Sequence, residues 1–266
     1  MTFNLLIQQP VFINMVKKKI KQMKQKKLSG LAAVVLLTIL SIQFSVAQSH
    51  NQLSQKEKAE GWQLLFNGKD FTGWRGVNKD VFPAKGWAVK NNTITCTGED
   101  GGSIITKEKF GDFELSWQWK MVSPAANSGI KYFVAEREGD TGGYGYGIEY
   151  QLLDDPEYIK SGQMKTNDFH TTGAAYELYP PSPDKKTKKM GDWNSSRIVS
   201  KNGKVEHWLN GKKVLEYDRF SSSFEEKVAA SKFKDVTNFG QHTEGHILLQ
   251  DHDSEIYFRN IKLKKL

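Results

Sequence analysis

Hydrophobic and polar residues alternate with a period of two through much of the chain after Trp62. The segment FGDFELSWQWKMV (110–122) is a clear example, because large apolar residues fall at every second position from Phe113 onward and polar residues fall between them. A two-residue period is typical of a β-strand that buries one face. We therefore expect many strands, each with one face towards a core.

Turn sequences divide these strands into hairpins. WNSSRIVSKNGKVEHWLNGKKVLEYD (193–218) contains two Asn-Gly pairs and predicts a three-stranded meander, and GWAVKNNTITCTG (86–98) predicts two strands about an Asn-Asn turn. Helical periodicity is scarce, and 221–235 is the one convincing candidate for a short helix or ordered loop. The pattern predicts an all-β fold, either a barrel or a two-sheet antiparallel sandwich, and the length favours a jelly-roll sandwich.

One predicted strand presents an unusual polar face. In GIEYQLLDD (147–155), Ile148 and Tyr150 share one face, whereas Glu149 and Gln151 share the other. The apolar face can enter the sandwich while the polar face lies on the outer surface of a sheet. On its own, such a pair is either part of a ligand site or an ordinary solvated surface.

A strand near the C-terminus repeats this pattern. In GHILLQDH (245–252), Gln250 and His252 lie two residues apart and share a parity. Solvation of a sheet surface does not require such a polar pair on each of two strands. We therefore predict that Glu149, Gln151, Gln250 and His252 converge in one open hollow outside the packed interior.

Other candidate residues have structural alternatives. Asn127 precedes a predicted strand and is either a cleft residue or a plain turn residue. His170 and Tyr176 lie on a predicted loop that walls a sugar site or is simply a mobile surface loop. His207 shares a face with apolar neighbours in the meander, so it is either a core histidine or a functional residue.

The N-terminal region resembles a secretory signal. A basic run at 16–27 precedes an apolar stretch at 31–47, which ends in the small-residue site Ser-Val-Ala. We expect residues 1–47 to be an upstream extension and a cleaved signal peptide, with an uncleaved membrane anchor as the alternative. Removal of the seven lysines of this leader reduces the formal charge from +8 to about +1, which leaves no support for nucleic-acid binding.

The rest of the chain is predicted to be one exported domain. Residues 48–60 are polar and predict a linker or short helix, and 61–266 are predicted to form a single jelly-roll domain. Cys96 is the only cysteine, so no internal disulfide can form, and we expect it to be a buried small hydrophobe. Export without disulfides favours the periplasm or cell envelope of a bacterium, with no stable membrane span after cleavage.

Motifs of several enzyme classes do not occur in the sequence. It has no G-x-S-x-G nucleophile elbow and no H-E-x-x-H metal motif. A divalent metal held partly by Glu149 or a histidine stays an open alternative, and no cofactor is certain. The E-x-Q strand also differs from the E-x-D-x-x-E strand of laminarinase-like glycosidases, since Gln151 cannot ionise.

Six segments between about Trp62 and the C-terminus carry a family resemblance. They are GWQLLFNGKDFTGW, NSGI, GIEYQLLDD, TGAAYELYPP, GDWNSSRIVSKNGKVEHWLNGKKV and GHILLQDHDSEIYFRNIKLKKL. Together they resemble the 3-keto-disaccharide hydrolase family, which implies a concanavalin-like jelly roll found mainly in exported bacterial proteins. Asp253 is a departure, because members often carry Gly at this position.

The resemblance implies action on glycosides that a separate sugar 3-oxidoreductase has already oxidised at C3. A ketone at C3 acidifies the C2–H bond, so a base can start β-elimination of the aglycone from C1, and hydration can follow. We assign the base role to Glu149 or His252. The substrate-binding candidates are Asn127, Gln151, His170, Tyr176, His207, Trp208 and Gln250.

Two other functions compete with this hypothesis. A jelly roll with a polar concave face also suits a non-catalytic carbohydrate-binding module, because fold does not fix function. A conventional glycoside hydrolase with two carboxylates is the third hypothesis.

Overall fold

A computed structural model describes residues 50–136 and 145–266, together with residues 15, 17–19 and 21–22. His50–Leu266 group into one compact unit. The apolar stretch of the predicted signal peptide, 31–47, lies outside the described residues. No helix in the described part of the chain is long and apolar enough to cross a membrane.

Two antiparallel sheets, one of eight strands and one of five, form the unit. The large sheet contains β1 (Trp62–Leu64), β3 (Trp87–Lys90), β4 (Thr93–Thr97), β6 (Phe113–Met121), β9 (Asn194–Lys201), β10 (Lys204–Leu209), β11 (Lys212–Asp218) and β13 (Glu255–Lys265). The small sheet contains β2 (Trp74–Gly76), β5 (Ile104–Thr106), β7 (Asn127–Ala135), β8 (Tyr146–Leu153) and β12 (His246–Leu249). The predicted all-β, two-sheet antiparallel sandwich is confirmed.

Strand order explains which residues become neighbours. The large sheet runs β11-β10-β9-β6-β13-β4-β3 with β1 paired to β13, and the small sheet runs β2-β5-β12-β7-β8. Strands β8 and β12 flank β7. Gln250 and His252, predicted to lie on a strand, instead follow the last residue of β12. This order is why residues about a hundred positions apart meet on one sheet face.

The core lies between the inner faces of the two sheets. Strand β6 alternates strictly between buried and half-buried positions, as its sequence predicts. Trp117 of β6 packs edge-on against Tyr150 of β8, with ring centroids 5.0 Å apart. Each large side chain buried in this way contributes roughly 1.5–3 kcal/mol of hydrophobic stabilisation.

The predicted tight turns join neighbouring strands. Asn202 and Gly203 connect β9 to β10 with φ angles of 49° and 83°, and Asn210 and Gly211 connect β10 to β11 with the same two angles. Positive φ at both central residues matches the right-handed twist of a hairpin, and Asn and Gly adopt it at low cost. The predicted meander is confirmed.

Three helices lie outside the sheets within His50–Leu266. They are α1 (Gln55–Ala59), α2 (Asp155–Lys160) and α3 (Ser222–Ala230). Helix α1 begins at a Ser54–Glu57 capping box. Before it, the backbone N–H of Asn51 donates to Asn260 Oδ1 at 2.6 Å, and the backbone N–H of Asn260 donates to Asn51 Oδ1 at 2.7 Å. The segment 48–60, predicted as a linker or short helix, thus contains a short helix at Gln55–Ala59 and is bound to the sandwich through Asn51.

A set of polar side chains lies inside the core, and we call Tyr132, Tyr150, Ser196, His207 and Tyr217 the core polar cluster. His207 is fully buried, with Nε2 2.8 Å from the Tyr132 hydroxyl and Nδ1 3.0 Å from the Gly173 carbonyl. Tyr132 also bonds to Tyr217, and Ser196 donates to Tyr150. This placement corrects the assignment of His207 to substrate binding, because both ring nitrogens are engaged inside the sandwich.

Candidate active site

The outer face of β7 and β8 carries the polar residues that the sequence analysis singled out on β8. Glu149 and Gln151 face outward, whereas Ile148 and Tyr150 enter the core. In the antiparallel register, Lys131 of β7 pairs with Glu149, so the two side chains project from the same face of neighbouring strands. Period-two alternation on both strands therefore builds one polar surface.

Gly129 forms the floor of this surface, between Gln151 on one side and Gln250 on the other. It pairs with Gln151 in the register, and its carbonyl accepts a hydrogen bond from the Gln250 backbone N–H at 3.0 Å. A Cβ at Gly129 would lie 2.8 Å from Cγ and Cδ of Glu149 and closer still to Oε1. The glycine thus leaves the space that the Glu149 carboxylate occupies.

Two residues that line the cleft each carry a buried amide oxygen without a donor. Gln151 donates from Nε2 to Asn127 Oδ1 at 2.9 Å, which fixes both side chains. Oε1 of Gln151 and Oε1 of Gln250 are two of seven buried side-chain atoms in the described structure that have no hydrogen-bond partner. An unsatisfied buried acceptor costs about 1–3 kcal/mol, so ligand hydroxyls that donate to these oxygens would bind favourably.

Glu149 is a buried carboxyl group with an unusual environment. Only 6% of the residue is exposed, and this burial raises its pKa, against the opposing effect of Lys131, Lys232 and His252. The ammonium of Lys131 lies 3.9 Å from Oε2. A carboxylate whose pKa is raised is a stronger base than an exposed one once it is ionised, which suits proton abstraction.

The walls of the cleft come from three separate segments. Tyr176 is held by a 3.0 Å hydrogen bond from its backbone N–H to the Glu149 carbonyl, because residues 173–176 run beside the edge of β8. Lys232 and Phe233 follow helix α3, and Tyr146 begins β8. The enclosed volume of about 340 Å³ falls within the range of small-ligand pockets.

His252 is presented by a turn that follows β12. Asp251 holds this turn, since its carboxylate accepts hydrogen bonds from the backbone N–H groups of Gly101 and Gly102 at 2.8 and 3.1 Å and from the Cys96 thiol at 3.1 Å. His252 itself is exposed and lines the cleft. Cys96 is therefore buried as expected, but it also has a polar partner.

The turn also explains the departure at Asp253. Its φ of 55° lies in the left-handed region, which favours glycine. Asp is one of the side chains that tolerate this conformation. The turn therefore forms with Asp253, although glycine suits the same backbone better.

The structure brings most of the predicted site residues together. Those that line the cleft are Asn127, Glu149, Gln151, Tyr176, Gln250 and His252. His170 lies behind Tyr176, with ring centroids 4.8 Å apart, and bonds to Asp168 and Glu177 at 2.7 and 3.2 Å. It therefore orders the loop that carries Tyr176 rather than forming the cleft surface.

Trp208 is a further correction. Its ring lies on the outer face of the large sheet, where the Arg197 guanidinium covers it at 4.1 Å from the ring centroid and Glu206 accepts its indole N–H at 2.8 Å. Residues of the large sheet's outer face cannot reach a cleft on the outer face of the small sheet. Trp208 is thus separated from the other candidates by the core.

Six lining residues were missed by the sequence analysis: Lys131, Tyr146, Lys232, Phe233 and the glycines Gly145 and Gly147. A signal for Lys131 was available, because it shares the parity of Asn127 along β7. Lys232 and Phe233 lie beyond the end of helix α3, where neither helical nor strand periodicity indicates direction. Tyr146 follows a glycine-rich segment that carries no such periodicity either.

The cleft contains a few side chains of the types that bind metal ions. Glu149, His252 and the two amide oxygens are the groups that could ligate a divalent cation. The described residues hold no group of three or more His, Cys, Asp or Glu side chains placed to bind a metal ion. The ammonium groups of Lys131 and Lys232 further oppose a cation here, so these residues do not fit a resident metal.

Known proteins with similar sequences act on carbohydrates, according to their names. A family model described as the 3-keto-alpha-glucoside-1,2-lyase-like domain matches residues 61–264. A 3-keto-disaccharide hydrolase from Bacteroides thetaiotaomicron is 34% identical over 234 residues, a match that covers 78% of this chain and 79% of that protein.

Solved structures agree with this similarity. The crystal structure of a candidate glycosyl hydrolase from Parabacteroides distasonis superposes with a TM-score of 0.72 at 37% identity, covering 82% of this chain and 100% of that chain. A second candidate glycosyl hydrolase from the same organism gives a TM-score of 0.60 at 28% identity, covering 77% and 99% of the two chains.

Proposed function

The chain belongs to the 3-keto-alpha-glucoside-1,2-lyase-like family, and on this basis we propose that it cleaves the glycosidic bond of 3-keto glycosides in the cleft around Glu149. Cleavage proceeds by removal of the C2 proton, β-elimination of the aglycone and hydration of the product. The net result is hydrolysis, and the substrate is a carbohydrate already oxidised at C3.

The observation that carries this proposal is a buried carboxyl group surrounded by buried hydrogen-bonding groups that lack partners. Glu149 lies against Gly129, and Gln151 and Gln250, each with an unpaired amide oxygen, line the same cleft. Sugar hydroxyls supply the donors that these oxygens need. A base held among acceptors for hydroxyl groups fits proton abstraction from a sugar.

The proposed reaction has three steps, which are proton abstraction, elimination of the aglycone and hydration. The Glu149 carboxylate takes the proton from C2, and the C–H electron pair forms an enolate with the C3 ketone. When the enolate collapses, C3=O re-forms, a C1=C2 double bond forms, and the C1–O bond to the aglycone breaks. Water then adds its oxygen to C1 and a proton returns to C2, which yields the free 3-keto sugar and the aglycone.

His252 lines the same cleft from the end of β12 and is exposed to solvent. In this proposal it protonates the leaving oxygen of the aglycone and later orients the attacking water. Exposure suits this role, because a proton given to the aglycone must be replaced from solvent before the next turnover.

The function is tested by replacing the proposed base. With a 3-keto glucoside in deuterium oxide, the wild-type protein should release the aglycone and place deuterium at C2. Glu149→Gln should lower both rates by about 10²–10⁴-fold, the range typical of a lost general base. Glu114→Gln is the matched control, because Glu114 lies on the outer face of the large sheet with Arg197 and Lys264.

Other outcomes identify the competing functions. Binding of unoxidised glycans without turnover of the 3-keto form indicates a carbohydrate-binding module. Cleavage of an unoxidised glycan through a covalent intermediate indicates a conventional glycosidase, although Glu149 is the only acid among the described residues that line the cleft. We expect full activity in EDTA. If activity is lost in EDTA and a divalent metal restores it, the proposed mechanism without a metal ion is wrong.

The same proposal includes a cellular location and a metabolic neighbour. We expect export to the periplasm or cell envelope, supported by the basic run and the apolar stretch 31–47. A sugar 3-oxidoreductase must supply the substrate, since the proposed chemistry needs a ketone at C3. Recovery of a mature protein in the periplasm whose N-terminus lies near Gln48 tests the location.

A further inference from the structure

Lys131 lies beside the proposed base, and we propose that it is a catalytic residue whose ammonium group donates a hydrogen bond to the C3 oxygen as the C2 proton is removed. This inference rests on the proposed function and adds a residue to it. Removing a proton next to a ketone places negative charge on the ketone oxygen. A donor aimed at that oxygen therefore stabilises the transition state.

The register of β7 and β8 supports this role. Lys131 and Glu149 are direct cross-strand partners, and Nζ lies 3.9 Å from Oε2. The two atoms that react, the C2 hydrogen and the C3 oxygen, are attached to adjacent carbons of the sugar ring. A base and a donor in neighbouring positions on one sheet face can engage these two atoms at the same time.

The burial of Lys131 strengthens its effect on a bound ketone. Its side chain is only 12% exposed, and Nζ also lies 3.4 Å from the Gly145 carbonyl oxygen. Removing an ammonium group from water is costly, but its interaction with a developing negative charge is stronger in a buried site than in solvent. Lys131 also lines the cleft beside Glu149.

The second cation of the cleft is less suited to this task. Lys232 is 52% exposed, lies on the segment after α3, and donates to the Tyr176 hydroxyl at 3.0 Å. It also lies 4.2 Å from the centre of the Tyr176 ring. Lys232 thus belongs to the wall of the cleft. The control is Lys264, which pairs with Glu114 on the outer face of the large sheet, so its replacement removes the same charge outside the cleft.

A substrate that cannot eliminate isolates this step. 3-Keto-1,5-anhydroglucitol has no leaving group at C1, so the protein can only exchange its C2 hydrogen for deuterium. Lys131→Met should lower the plateau rate of this exchange by about 100-fold or more, the cost of losing an oxyanion donor, whereas Lys264→Met should retain the wild-type rate.

The pH profile separates donation from a simpler electrostatic role. Glu149 faces Lys131, Lys232 and His252, and loss of the Lys131 charge raises the pKa of Glu149 further. If Lys131 acts only by keeping Glu149 ionised, Lys131→Met should regain the wild-type rate on a plateau at higher pH, and this result would overturn the inference. A rate that stays low at every pH supports it.

Chemical rescue tests the ammonium group directly, even if Lys131→Met folds poorly. Lys131→Cys, alkylated with 2-bromoethylamine, regains an ammonium group at nearly the original position, and recovery of exchange supports the proposal. Cys96, the only native cysteine, is 1% exposed and is protected from the reagent in the folded protein. No recovery in a folded, fully alkylated variant would overturn the assignment.

Two further results keep the inference distinct from the proposed function. If the wild-type protein neither exchanges the C2 hydrogen nor cleaves a 3-keto glycoside, the proposed function fails first. If trapping with cyanoborohydride adds the mass of the sugar to the wild-type protein but not to Lys131→Met, Lys131 acts covalently through an imine, and the hydrogen-bonding role is overturned.

Discussion

The core polar cluster and the cleft both include residues of β7 and β8, which point to opposite faces of the small sheet, yet the polar groups of the two regions differ in one respect. In the core, the His207 ring and the Tyr132 hydroxyl are fully engaged with protein partners. In the cleft, Gln151 and Gln250 each keep a buried oxygen without a donor. Tyr132 and Tyr150 are the direct chain neighbours of the site residues Lys131 and Glu149.

This difference distinguishes polar groups that maintain the fold from those that await a ligand. A buried polar network stabilises a protein only when its members are satisfied, and a missing partner costs about 1–3 kcal/mol. The core polar cluster meets this condition within the protein. The cleft meets it only when another molecule supplies the donors, so changes in the two regions should have different consequences.

The largest expected effect concerns the pH dependence of stability through His207. Burial lowers the pKa of His207 to about 4 from 6.5. The histidine is neutral in both states above pH 6.5, but between pH 6.5 and 4 only the unfolded chain binds the proton. The free energy of unfolding should therefore fall by up to about 3 kcal/mol over this range.

A matched variant isolates the contribution of this histidine. His207→Gln should be less stable than the wild type at pH 7, but it should lose about 3 kcal/mol less between pH 7 and 4 in urea titrations. Equal losses in the two proteins would show that His207 titrates normally in the folded state.

The next largest expected effect is a loss of activity caused by a change in the floor of the cleft. Gly129→Ala should lower kcat/KM by about 100-fold, because the new Cβ displaces the Glu149 carboxylate by a distance that catalysis does not tolerate. The free energy of unfolding should also fall, by about 1–3 kcal/mol, because the overlap includes Cγ of a buried side chain. Gly111→Ala is the control, because a Cβ there meets only the Thr243 carbonyl, at 3.3 Å.

Removal of one polar group from each region gives a direct contrast. Tyr217→Phe should destabilise the protein by about 1–2 kcal/mol, because the Tyr132 hydroxyl loses one of its two partners and keeps only His207. Gln250→Leu removes an oxygen that already lacks a donor, so stability should be unchanged or slightly higher while KM rises about tenfold. Equal destabilisation by the two changes would remove the distinction between the regions.

The smallest effect concerns the turn beside the cleft. Asp253→Gly should raise the free energy of unfolding by about 0.5 kcal/mol, because the residue has a φ of 55° and glycine avoids the steric cost. Activity should not change, as Asp253 does not line the cleft. Thermal unfolding and kcat/KM measured together test both statements.

Period-two patterns were sufficient to predict the strands and the polar face of β8. Glu149 and Gln151 face outward because Ile148 and Tyr150 are needed in the core, and this choice is fixed by alternation. Alternation also predicted the face on which Gln250 lies, but it did not predict which residues lie next to Gln250. Which strand lies between β8 and β12 depends on long-range pairing, which local pattern does not encode.

The errors have a common physical cause. His207 and Trp208 are consecutive residues of β10, so one faces the core and the other faces solvent on the large sheet. Both were assigned to a sugar site by residue type, whereas the sheet to which a strand belongs decides which surface it can reach. Phe233 and Lys232 were missed for the opposite reason, because irregular segments take their direction from tertiary contacts.

The position of β7 inside the small sheet has a consequence for motion during turnover. Its backbone is paired with β12 on one edge and β8 on the other, so amide hydrogens beneath Glu149 should exchange with solvent only through large-scale opening. Ligand binding would then slow exchange mainly in the segments that carry Tyr176 and Phe233. We therefore expect the strands beneath Glu149 to be rigid before the sugar binds. Conformational changes on binding should occur in the wall segments.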